Sequence, residues 1–249
     1  MRELTEQIVR EVRACGALVR EAKREDFEVD QKGHANFVTT YDKMIQDRLQ
    51  KALMRLLPEA VFVGEEEDLH ASIQKGYAFL VDPIDGTTNF VKDFKMSAIS
   101  VAVMKDSVPE IGVIYNPYMD EMFTAERGGG AYLNGKPIHV NRRPLSRCLV
   151  LFGTAAYNPE LRDRTFELAK HYCDVCLDVR RCGSAALDLC YVAAGRGEIF
   201  FELHLSPWDF AAGSLMIEEA GGTITDIDGN PLRFDKPSTI LAQGVILDE

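Results

Sequence analysis

The chain has 249 residues, 46% of them hydrophobic and 27% charged, which is ordinary globular composition and enough to bury a sizeable core. Its formal net charge is −11, and it has no Lys/Arg-rich run, which excludes an extended nucleic-acid footprint because phosphate contacts supply most of such affinity. No apolar stretch approaches the length of a membrane span, so the expected address is the cytoplasm, with no membrane or direct nucleic-acid partner.

Residues 1–22 carry apolar side chains at Leu4, Ile8, Val12, Cys15 and Val19 with charges between them, the pattern of an amphipathic helix and not of a signal peptide. A polar stretch follows around Asp30 to Asn36. Thr39 or Thr40 is then placed to cap a second helix through Ile45, Leu49 and Leu53. Val61–Val63 and Tyr77–Val81 read as short buried strands, each running into acids: Glu65 to Asp68 after the first, Asp82 after the second. Ala98–Met104 and Ile111–Tyr115 continue the strand pattern. Glu121–Leu133 reads as paired strands closed by Asn134-Gly135, with Gly128 to Gly130 in turn or bulge duty.

The second half alternates more clearly. A strand near Val150 leads to a helix over Pro159–His171 and a strand over Val175–Arg180. A helix over Ser184–Ala194, a strand over Glu198–Glu202, a helix over Pro207–Ala220 and a strand over Thr223–Asp226 follow. This mixture predicts a layered α+β architecture with a largely antiparallel N-terminal sheet, not a Rossmann fold. Cys173 and Cys176 form a Cys-x-x-Cys, but no second pair stands at zinc-site spacing, so small buried hydrophobes are the better reading of the six cysteines.

The most informative segment is Val81-Asp82-Pro83-Ile84-Asp85-Gly86-Thr87-Thr88-Asn89-Phe90. A buried strand delivers Asp82 to its end, and Asp85 follows across a tight turn, so both carboxylates can face one point. Gly86 permits close approach of the backbone, and Thr87 offers both an N–H and a hydroxyl. Two carboxylates repel a phosphate unless a hard divalent cation stands between them, and Mg²⁺ takes oxygen ligands together with substrate phosphate. Taken alone, the pair reads better as an Asp-rich turn, since turn chemistry explains every residue in it. Other acids shift the balance: Glu65, Glu66 and Glu67 follow Gly64 at a strand end. Trp208-Asp209-Phe210-Ala211-Ala212-Gly213 sets an acid at the start of a helix of small residues.

Gly64-Glu65-Glu66, the Asp82–Thr87 run and Trp208-Asp209-x-Ala-Ala-Gly213 together resemble the three signature motifs of the inositol monophosphatase family, in that family's order and at about its spacing. Val38-Thr39-x-x-Asp42 and Gly183-Ser184-Ala185-Ala186-Leu187-Asp188-Leu189 resemble two further elements of it, so the likeness runs from about residue 36 to 222. The resemblance implies an αβαβα sandwich forming one catalytic domain over 1–249, with a metal-binding half to about 145 and a substrate-side half beyond it, and a homodimer. It implies a phosphomonoesterase that hydrolyses inositol monophosphate by a metal-activated water, with two or three Mg²⁺ per site. Glu65, Asp82 and the Ile84 carbonyl would hold one ion; Asp82, Asp85 and Asp209 would hold another. Glu65 or the Thr87–Asp42 pair would help take the water's proton, and Gly86 and Thr87 would cradle the phosphate. Asp85, Ala185, Glu202 and Asp209 would meet the rest of the substrate.

Two other readings stay open. The metal core sees only the phosphate, so a broad-specificity sugar phosphatase, fructose-1,6-bisphosphatase-like, shares every core residue. A protein whose main role is to bind a protein partner is the alternative from a different class.

Overall fold

A computed structural model describes residues 1–22, 29–33, 36–66, 73–155 and 158–244. Glu67 and Asp68, part of the acidic run noted above, lie outside the described residues. The chain begins with α1 (Arg2–Glu21), the antiparallel pair β1 (Val29–Gly33) and β2 (Asn36–Thr39), and α2 (Thr40–Leu56). Next come β3 (Val61–Gly64), β4 (Tyr77–Asp85), the short α3 (Thr87–Val91), β5 (Ala98–Lys105), β6 (Val108–Asn116), β7 (Glu121–Glu126), β8 (Gly130–Leu133) and β9 (Lys136–Pro137). The second half holds β10 (Leu149–Phe152), α4 (Arg162–Val175), β11 (Asp178–Arg180), α5 (Ala185–Ala193), β12 (Ile199–Leu205), α6 (Pro207–Glu219), β13 (Thr223–Thr225) and β14 (Ser238–Gln243).

Strands β3 to β9 form a seven-stranded sheet in sequence order, parallel between β3 and β4 and antiparallel elsewhere. A five-stranded sheet runs β11-β10-β12-β14-β13. The two-residue period of β4 assigns its faces: Phe79 and Val81 bury against Ile8, Val12, Ile45 and Leu49 of α1 and α2, while Ala78 and Leu80 bury toward α5 and α6. The smaller sheet repeats the device. Leu151 and Phe200 join the α5–α6 layer, and Val150, Phe152, Ile199 and Phe201 pack with Ala169 of α4 on the far side. The layers are therefore α, β, α, β, α, with apolar sequence on both faces of each central strand.

Three elements differ from the sequence reading. The polar stretch near residue 30 is the β1–β2 pair, whose alternation is too polar to announce a strand. Strand β14, between β12 and β13, was not predicted, because Ser238-Thr239-Ile240-Leu241-Ala242-Gln243 shows no clean alternation. The strand expected over Val175–Arg180 shortens to β11, since α4 keeps its last turn to Val175. Asn134-Gly135, both at positive φ, closes β8 onto β9 as a primed two-residue turn, while β7 and β8 are joined through Arg127 to Gly129.

Gly112 on β6 lets the central helix sit down on the sheet: a Cβ there would stand 2.7 Å from the Ala212 carbonyl oxygen of α6. Backbone cannot step aside as a flexible side chain can, so the substitution is overpacking. Gly112→Ala is expected to lower stability by about 1–3 kcal/mol, read as a drop in the urea midpoint with an unchanged slope. A midpoint equal to that of the wild type would mean that α6 is not seated on β6 through this position.

Candidate active site

Both sheets end in a bulge at the same cleft. On β4, Asp82 lies opposite Ser100 and Asp85 opposite Ala98, so three steps on one strand match two on the other. One extra residue reverses the alternation, and Asp82 and Asp85 then fall on the same side. On β12, Glu202 lies opposite Ile240 and Leu205 opposite Ser238, the same one-residue excess. The bulges lead directly into α3 and α6.

The Asp82–Thr87 turn is knit by its own polar groups. The Ile84 N–H donates to Asp82 Oδ1 at 2.9 Å, and the Thr87 hydroxyl lies 3.0 Å from the Ile84 carbonyl oxygen and 3.3 Å from Asp42 Oδ1. Asp42 is itself fixed from behind: the Thr39 N–H and hydroxyl donate to its other oxygen at 2.8 and 2.5 Å, the reciprocal cap of α2. Gly86 has φ +85°, and a Cβ on it would stand 2.9 Å from the carbonyl oxygens of both Gly183 and Met96. The position therefore demands glycine twice over. Asn89 Nδ2 donates to the Met96 and Cys182 carbonyls at 2.7 and 2.8 Å, tying this turn to the segment that enters α5.

Asp85 is held by that segment. It accepts hydrogen bonds from the Ser184 hydroxyl and from the Ala185 and Ala186 N–H groups, the latter two at 3.3 and 2.8 Å. Asp209, in the first turn of α6, accepts the Ser206 N–H at 2.8 Å. Asp82, Asp85 and Asp209 each bring a carboxylate oxygen within 4.8 Å of the other two. Every donor atom in the set is a hard oxygen, which fits Mg²⁺ and not a thiolate-seeking metal.

Glu65, Ile84, Gly86, Thr87, Ala185 and Glu202 join these acids in lining one cleft of about 420 Å³. Asp42 stands behind it, one hydrogen bond removed through Thr87. The Ala185 N–H is directed to Asp85, while the residue lines the cleft. Glu202 is oriented by the Ala155 N–H at 2.9 Å, and Gly153 leaves it the space to lie there. Sequence reasoning did not single out Gly153, Ala155, Arg181, Asp188 or His204, which complete the wall. The one available signal was Asp188, an acid inside the apolar run of α5.

Burial raises the carboxyls of Asp42, Asp82, Asp85, Glu202 and Asp209. Asp42 and Asp85 are pushed up to about 6 and Glu202 to about 7, by burial first, with hydrogen-bond donors pulling each back. Asp82 and Asp209 also lie well above the usual carboxylate range, through burial and then through the charge of Glu65 and their neighbours. So many acids in one cleft would turn away a phosphate dianion; a divalent cation removes the conflict.

The layered fold gathers acids from three elements into one cleft. A model of the inositol monophosphatase family matches residues 1–249. A Nus factor SuhB from Pasteurella multocida (strain Pm70) is 35% identical over 224 residues, spanning 89% of this chain and 84% of that protein. The inositol monophosphatase from Anabaena (Nostoc) sp. PCC 7120 superposes with a TM-score of 0.86 at 31% identity, covering 98% of this chain and 91% of that one. The staphylococcal SaIMPase-II, solved with inositol monophosphate bound, gives 0.81 at 26% over 97% and 88% of the two chains, and it has also been solved with 2′AMP. The chain belongs to the inositol monophosphatase family.

The raised carboxyls carry a consequence for stability. Asp42, Asp85 and Glu202 bind their protons more tightly folded than unfolded, so the native state holds more protons from roughly pH 4 to 7 and stability falls as pH rises through that window. In EDTA the melting temperature is expected to be lower at about pH 8 than at about pH 5.5, and saturating Mg²⁺ should raise it more at the higher pH. Thermal melts that show the reverse order in EDTA would remove this account of the cluster.

Proposed function

We propose that this protein is a Mg²⁺-dependent phosphomonoesterase that hydrolyses inositol monophosphate to inositol and phosphate. The observation that carries the reading is the convergence of Asp82, Asp85 and Asp209 in a cleft that holds no comparable set of cations. Glu65, Asp82 and the Ile84 carbonyl are assigned to one ion and Asp82, Asp85 and Asp209 to a second, with Glu65 also serving a weaker third. Bound there, Mg²⁺ supplies charge neutralisation and Lewis acidity at the phosphate.

The chain's own groups do the rest. Gly86 and Thr87 turn the backbone toward the phosphate end of the cleft. The Thr87 hydroxyl carries one proton; directed to Asp42, it leaves its lone pairs to accept from a water in the cleft. A proton leaving that water then has a path through Thr87 Oγ1 to Asp42, whose raised affinity suits a base working near neutrality. Glu65 is the second candidate for this duty. No covalent phosphoenzyme is needed. The alcohol end of the substrate is assigned to Glu202, together with Ala185 of the α5 entrance.

SaIMPase-II takes both an inositol phosphate and a nucleotide, which favours breadth as the second reading of this cleft. The relatives named Nus factor SuhB favour a protein-partner role as a third. Phosphate release at fixed Mg²⁺ from myo-inositol 1-phosphate, fructose 1,6-bisphosphate, 3′-phosphoadenosine 5′-phosphate and histidinol phosphate separates them. Inositol phosphate is expected to dominate, with EDTA abolishing turnover and Asp82→Asn lowering it by about 10²-fold or more, since even outer-shell changes cost 10–100-fold. Turnover of several esters at similar rates would move the function to a broad sugar phosphatase. No turnover of any ester would leave the partner role.

A further inference from the structure

When an alkyl phosphate is hydrolysed, the attacking water gives up a proton on one side of the phosphorus and the departing alcohol oxygen gains one on the other. A bare alkoxide leaves poorly, so a proton donor at that oxygen contributes about 10²–10⁴-fold in rate. Thr87 and Asp42 face the water's side of this exchange. The donor for the other side has to come from the wall where the phosphate end of the cleft meets the alcohol end.

Strand β12 crosses that wall. It carries Glu202, bulges, and runs through Ser206 into α6 and Asp209. At the bulge Leu203 and His204 stand against the single residue Thr239. Leu203 is buried in the core, whereas His204 is half-buried and lines the cleft. In the chain it lies two residues past the acid assigned to the alcohol and five before an acid assigned to a cation. Among the described residues, neither ring nitrogen has a hydrogen-bond or ion-pair partner. A histidine kept for structure is held by such partners; this imidazole keeps both nitrogens for what enters the cleft.

The other groups on the wall are engaged or unsuited. Thr87 and Ser184 direct their hydroxyl protons to Asp42 and Asp85. Arg181 keeps its charge at any working pH, so it cannot give up a proton. Asp82, Asp85 and Asp209 are assigned to cations, which bind carboxylates and not carboxylic acids. Glu202 accepts the Ala155 N–H and meets the alcohol as an acceptor. Asp188 turns its carboxyl to the Cys182 thiol. Imidazole is the side chain that both gives and regains a proton near neutrality, and among the described residues His204 is the one imidazole that lines the cleft.

We propose that His204 is a catalytic residue, the general acid that protonates the departing alcohol oxygen. As the water oxygen bonds to phosphorus, the bond from phosphorus to the alcohol oxygen breaks and its electron pair stays on that oxygen. The imidazolium N–H proton moves to this pair, and the alcohol leaves neutral. The water's proton goes through Thr87 to Asp42, so the step ends with His204 neutral and Asp42 protonated, and exchange with solvent water resets both. This inference rests on the phosphomonoesterase reading and adds to it the donor for the leaving group.

The test uses the full chain with Mg²⁺ and esters whose leaving groups differ in their need for a proton. Myo-inositol 1-phosphate and glycerol 2-phosphate release alkoxides, whereas p-nitrophenyl phosphate releases a phenolate that is stable as the anion. His204→Gln, which keeps shape and polarity but cannot donate as an acid, is expected to lower kcat about 10²-fold on both alkyl esters, with KM and the aryl ester's kcat each within about 3-fold. His204→Ala should show the same pattern, and imidazole added to the buffer should restore part of its kcat on the alkyl esters alone. Equal losses on alkyl and aryl esters would make His204 a structural residue. A loss confined to KM would make it a binding contact, and no loss would hand the proton to Glu202 or to a water. Each of these three outcomes overturns the inference and leaves the phosphatase standing. A wild-type protein that cleaves none of the three esters overturns the phosphomonoesterase reading and this inference together.

Discussion

Like charges do not gather in a protein interior unless the backbone compels them, and this fold is organised around that compulsion. Asp82, Asp85 and Asp209 arrive from a strand end, a turn and a helix start, and each is held by hydrogen bonds that leave it little freedom to swing away. Their mutual repulsion and desolvation appear as raised proton affinities. The native state without a cation is therefore strained at one point, and binding a cation there is at once ligand recognition and stabilisation.

The same compulsion explains why the two bulges matter. A regular β4 would send Asp82 and Asp85 to opposite faces, one into the α1–α2 core beside Val81. The extra residue corrects this at the strand end, where the ladder is finishing and little pairing is lost. On β12 the bulge after Glu202 serves the opposite wall. Each sheet thus spends its last regular pair on the cleft, and the helices between them supply the capping groups.

Much of this was legible from sequence because it is local. Asp82, Pro83, Asp85 and Gly86 sit within five residues, and the acids of the other two motifs separate this run from an ordinary Asp-rich turn. Asp209 beside Trp208 and Asp42 after Thr39 are equally short-range signals: each acid occupies the third helical position, where it can bond back to the cap. What stayed hidden depends on distance along the chain. Asp85 meets Ser184 across 99 residues, and Glu202 meets the Ala155 N–H across 47. The bond from the Ala185 N–H to Asp85 stayed hidden likewise, because nothing local to α5 says that Asp85 will claim it. Strand β14 escaped for a related reason: it is a short run whose identity comes from its distant neighbours β12 and β13.

Asp85 carries the last step of the synthesis. One carboxylate is asked to satisfy the start of α5 and to face the other acids, and both duties draw on the same charge. The α5 donors stabilise the ionised form and lower its proton affinity against the pull of burial. They therefore keep Asp85 nearer to ionisation than Asp82, which has a single backbone donor and the adjacent Glu65 charge raising it. Because the helix that tunes Asp85 also carries Asp188, two acids of the cleft are set by one rigid element. A shift of α5 relative to the β4 turn would disturb both together, and Asn89, bonded to carbonyls on either side of that junction, is the side chain that holds the two in register.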